Sequence, residues 1–129
     1  MGNGITSTPQ FERLMKTAEI LDGHYSDVTK KAQTARITAA LKGDRTTADR
    51  YTAILANMRD HHATALDLIA DKLTTPNQLR ATRRALREAA DEANGFVKQL
   101  QKVRISIDML EKAAGFLSGL VTRLTTILA

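Results

Sequence analysis

The sequence predicts an all-α fold, an elongated antiparallel bundle of long, heptad-patterned helices. Three observations carry this expectation. Apolar and small residues recur at alternating spacings of three and four along most of the chain. The chain holds only seven Gly and two Pro, whereas a β-sandwich needs turn residues about every 8–12 positions. Its 43% hydrophobic and 26% charged composition suits a packed domain and is too apolar for a disordered tail. At 129 residues, one helical-bundle domain over 8–129 is expected, behind a flexible lead-in over 1–7.

The first helix is predicted over 8–42. Thr8-Pro9 supplies a capping hydroxyl followed by Pro at the first helical position, where its missing N–H does no harm. The stripe then runs Phe11, Leu14, Ala18, Leu21, Tyr25, Val28, Ala32, Ala35, Ala39. Such a helix is about 52 Å long. Gly23 interrupts the composition but keeps the phase. Gly43-Asp44 ends this helix and caps the next.

The second helix is predicted over 45–74, about 45 Å long. Its stripe is Ala48, Tyr51, Leu55, Met58, His62, Ala65, Ile69, widened by Ile54, Leu66, Leu68 and Leu73. Thr75-Pro76 opens the third element, with Gln78 placed to complete a capping box.

From there the stripe never slips: Leu79, Thr82, Leu86, Ala89, Ala93, Phe96, Leu100, Val103, Ile107, Leu110, Ala114, Leu117, Val121, Leu124, Leu128. Read without interruption, 76–129 is one helix of about 80 Å. Read with a break at Asn94-Gly95, the chain is a four-helix bundle. The unbroken helix is the favoured reading, because one interior Gly costs only ~1 kcal/mol and the stripe stays in register across it.

Routes to catalysis are few. With no Cys there is no thiol nucleophile, thiolate metal site or disulfide framework. Neither a nucleophile elbow, a P-loop nor a dinucleotide fingerprint occurs. The Glu-x-x-His and H-E-x-x-H spacings of helical metal enzymes are missing. His61 and His62 point about 100° apart on a helix and do not share a metal ion readily. His62 follows Met58 by four residues on the apolar stripe, a conceivable haem pair. The plainer reading is a core-edge imidazole bonded to a neighbouring helix. The expectation is therefore a non-enzymatic protein without cofactor or small-molecule substrate.

Binding has two candidate sites. The net charge is +5, and it is uneven. Residues 1–79 carry ten Lys/Arg against nine Asp/Glu, whereas 80–129 carry nine against five. Arg80, Arg83, Arg84 and Arg87 fall on one helix flank, close to an N-terminus whose dipole disfavours cations. An anionic partner is the functional reading: a nucleic-acid backbone, a membrane surface or an acidic protein. Pairing of Arg84 with Glu88 and of Arg87 with Asp91 would neutralise half of the cluster.

The second candidate is the segment 113–129, with a single charge at Arg123. Phe116, Leu117, Leu120, Val121, Leu124, Ile127 and Leu128 span more than one stripe, and such a helix must be covered on two sides. Gly115 and Gly119 spell G-x-x-x-G, which permits close helix approach. This segment is either core of the chain's own bundle or a contact with a partner protein or a second copy. A membrane-surface helix is a third reading, to which an N-myristoylation pattern at Met1-Gly2-Asn3-Gly4-Ile5-Thr6 would add an anchor.

No basic leader with an apolar core opens the chain, so a cytoplasmic location is the default expectation. Together these features predict a helical interaction or assembly protein, homo-oligomeric or bound to a protein partner, with 113–129 as its contact. Polyanion binding and membrane-surface association are the alternatives.

Overall fold

The structure is a computed structural model and describes residues 8–129. The lead-in over 1–7, with its lipidation pattern, lies outside the described residues. Four helices follow one another: α1 (Pro9–Leu41), α2 (Arg45–Lys72), α3 (Pro76–Leu100) and α4 (Ile107–Ile127). They form an all-α bundle.

The three starts and stops read from punctuation are in place. The Thr8 hydroxyl accepts from the Phe11 N–H at 3.2 Å. Gly43 takes a positive φ of 83°, which a side chain would strain, and Asp44 caps α2. Thr75 and Gln78 complete the capping box.

The long third element is where the structure departs from expectation. The chain does break, but at residues 101–106, and Asn94-Gly95 lies inside α3 with ordinary helical geometry. Two forces act at the break. Val103 and Ile105 are β-branched and favour the extended backbone. Ser106 then caps α4, its hydroxyl accepting from the Met109 N–H at 3.2 Å, with Asp108 in the first turn facing the helix dipole. Burial of the stripe lapses at Val103 and resumes at Leu110 in α4.

Each helix packs chiefly on two others: α1 on α2 and α3, α4 on α2 and α3. One core cluster joins Leu14 and Leu21 of α1, Ile69 of α2, Leu79 and Leu86 of α3, and Leu124 of α4. A second joins Val28 and Ala32, Met58, Phe96 and Leu100, and Leu110 and Leu117. The first thus gathers the starts of α1 and α3 with the ends of α2 and α4. Consecutive helices are antiparallel, while the spatial pairs α1–α3 and α2–α4 run parallel. The turn over 73–75 therefore crosses a diagonal of the bundle.

The seam read from the sequence packs for most of its length; Val103, which falls in the break, and Leu66 are exceptions and stand exposed. Leu14, Leu110 and Leu124 are fully buried, each stabilising the fold by about 1.5–3 kcal/mol. Thr82 is the sole buried polar side chain among the described residues, and its hydroxyl has no partner among protein atoms.

Candidate functional site: an arginine flank on α3

Four of the candidate residues converge. Arg80, Arg83, Arg84 and Arg87 line one cleft of about 250 Å³ on α3, closed by Leu79 and by Gln10 from α1. No carboxylate is among the residues that line it. The parallel packing of α1 and α3 explains the placement. It sets the start of α1 beside the first turns of α3, so Gln10 walls the cleft.

The two intrahelical ion pairs expected from spacing do not form. Glu88 instead reaches across to Arg123 of α4, Oε2 to Nη2 at 2.8 Å. Asp91 makes no ion pair among the described residues. A cross-helix partner captures Glu88 and leaves Arg84 and Arg87 uncompensated. Arg80 donates to the Asn77 side chain. Arg83 is half-buried, and its Nε is buried without an acceptor among the described residues. The flank thus holds four cations, one with an unanswered donor.

The 113–129 segment sits differently. Leu117, Leu120, Leu124 and Leu128 are buried in the chain's own core, and Val121 and Ile127 are half-buried against it. Of the seven candidate contact residues only Phe116 is exposed, at 40%, its ring tilted against Phe96 with centroids 5.0 Å apart. Gly115 and Gly119 face outward, with nothing within 4 Å of where a side chain would begin. Their G-x-x-x-G is not used between helices of this chain. The breadth of the apolar face is thus explained by α2 and α3 covering it from two sides. The large apolar side chain that α4 leaves exposed among the described residues is Phe116. No helix among the described residues is long and apolar enough to cross one.

The histidines resolve simply. His62 Nε2 lies 2.5 Å from Asp22 Oδ1 on α1 and its ring stacks on Tyr25, centroids 4.9 Å apart. It is the core-edge imidazole, fastening α2 to α1. Among the described residues no three His, Asp or Glu side chains gather as a metal site would require. Burial pushes the Tyr25 phenol up to about 12, against a smaller downward pull from Arg59. Tyr51 is raised by burial as well.

Comparison with protein-family models, with curated proteins and with solved structures finds no match.

Proposed function

We propose that this protein is a helical interaction module that works by binding, not catalysis, and that the partner on its arginine flank is a phosphate-rich polyanion such as a nucleic-acid backbone. One observation carries the reading: Arg80, Arg83, Arg84 and Arg87 share a cleft with no carboxylate, while the nearest expected partner, Glu88, is held by Arg123. Uncompensated arginines repel one another and are held together at the cost of folding stability, so the cluster makes sense when an anion sits among them.

The experiment is binding of a labelled random-sequence DNA duplex, with a triple variant R80Q/R84Q/R87Q that removes the exposed charges. Four phosphate contacts imply about a 150-fold loss of affinity between about 50 and 200 mM salt. The triple variant binds far more weakly and loses only about 3.5-fold over the same range. Equal binding by the two proteins would overturn the reading.

A second reading has its own support. Phe116 stands exposed beside the outward Gly115 and Gly119, a shape suited to a helix-packing contact with a protein partner or a second copy. Light scattering coupled to gel filtration tests the second-copy form, since a monomer at micromolar concentration excludes it.

A further inference from the structure

At the end of the bundle away from the arginine flank, α1 outlasts its partner. Leu100, the last residue of α3, packs in the cluster that holds Ala32, with Ala35 against it. From Ala35, α1 continues to Leu41, about 9 Å further. The chain instead turns away through 101–106. A cleft of about 880 Å³ opens between the last turns of α1, the first turns of α2 and this connection. The connection is tied down by the Tyr51 hydroxyl, which donates to the Ile105 carbonyl at 3.4 Å.

The cleft has a distinct chemistry. Its floor is apolar and small, made by Ala35 and Ala39 of α1 with Leu100 and Ile105. Its rim carries Lys31, Lys42, Lys102 and Arg104 against one carboxylate, Asp44. That carboxylate is already engaged, accepting from the Thr47 N–H at 3.1 Å and the Thr47 hydroxyl at 2.7 Å. Leu41, 84% exposed, and Val103 stand exposed at this end.

We infer that this cleft docks an acidic amphipathic helix of a partner protein, seated where α3 would otherwise continue. The floor continues the heptad phase of α1 through Ala32, Ala35 and Ala39, so it offers the same holes that α3 fills lower down. A helix is about 10–12 Å across, and two of its turns match the overhang of α1. The rim selects the charge. A second copy of this chain is disfavoured, because a two-fold contact would set one cationic rim against another. A duplex would meet the rim but leave the apolar floor uncovered, so it competes poorly for the cleft. The inference is independent of the arginine flank.

The test uses the full chain and a fluorescein-labelled synthetic peptide of about three heptads, Leu at a and d and Glu elsewhere. Its counterpart carries Lys for Glu. Anisotropy in about 0.1 M salt should show saturable binding of the Glu peptide and none of the Lys peptide. K42E/K102E/R104E should weaken the Glu peptide by about tenfold or more, and Ala39→Trp, which fills the floor, should do the same. R80E/R84E should leave it unchanged, and a random-sequence duplex should compete poorly. The charged residues face solvent and Ala39 is half-buried on the floor, and retained helicity by circular dichroism verifies that each variant folds. Absent binding, equal binding of both peptides, indifference to Ala39→Trp, or loss through R80E/R84E alone would each overturn the inference.

Discussion

Replacing Leu117 with Asp separates a core role for α4 from an intermolecular one. Leu117 is 5% exposed and packs in the cluster with Val28, Met58 and Phe96. Removing its buried side chain forfeits about 1.5–3 kcal/mol. The carboxyl group that replaces it is buried without a partner, which costs at least about 1–3 kcal/mol more even when it takes up a proton. The sum, about 2.5–6 kcal/mol, is a large part of the roughly 5–15 kcal/mol that holds a domain together. For a chain of this length, at about 4 °C per kcal/mol, it lowers the melting temperature by roughly 10–24 °C. Phe116→Asp, one residue earlier, is the control. Phe116 is 40% exposed, and its loss should cost about 2 kcal/mol, part of it the ring contact with Phe96. Thermal unfolding followed by circular dichroism reads both, with light scattering for size. The reasoning is refuted if L117D yields a folded monomer of unchanged melting temperature from a larger wild-type species. Leu117 would then sit on a seam between molecules.

Four further outcomes follow from single positions. Gly95→Ala should stabilise the fold by about 0.5–1 kcal/mol in chemical denaturation, because Gly95 is helical and a methyl group there meets open space. Gly43→Ala should destabilise it, since φ there is +83°. Thr82→Val should raise stability by about 1 kcal/mol, replacing a buried unpartnered hydroxyl with a methyl group of similar shape; a loss in denaturant midpoint would contradict this. In alkaline titration followed by ultraviolet absorbance, both tyrosines of the folded protein should ionise above 10. The folded pKa of Tyr25 is raised to about 12, so its contribution to stability is complete below pH 10 and is lost as pH rises towards 12. A folded protein half-ionised at pH 10 would contradict it.

Much of the fold is legible in the sequence because packing and pattern agree. The stripe from Leu79 through Leu86 to Leu100 is read from spacing alone, and all but the half-buried Ala93 of its members are buried. The caps at Thr8, Asp44 and Thr75 are local chemistry and need no tertiary knowledge. The break at 101–106 is harder to see, because the seam resumes in phase beyond it. The signals for it are Ser106 followed by Asp108, a helix-start pattern, and the β-branched Val103 and Ile105 before it. Gly95 draws attention as a breaker but is carried by the packing of Phe96 and Leu100, both in the second core cluster. Among site residues, the spacing of the four arginines is enough to place them together. What spacing does not reveal is Arg123 capturing Glu88 from α4, since that pair depends on how α3 and α4 cross. The cleft beyond Leu100 is likewise invisible, because it exists only where α3 stops short of the end of α1.

The most direct test of the arginine-flank proposal is the salt dependence of duplex affinity for the wild type and for R80Q/R84Q/R87Q. Engagement of four phosphates predicts a log–log slope of about −3.6 for the wild type, falling to about −0.9 when only Arg83 remains. Parallel slopes for the two proteins would contradict it.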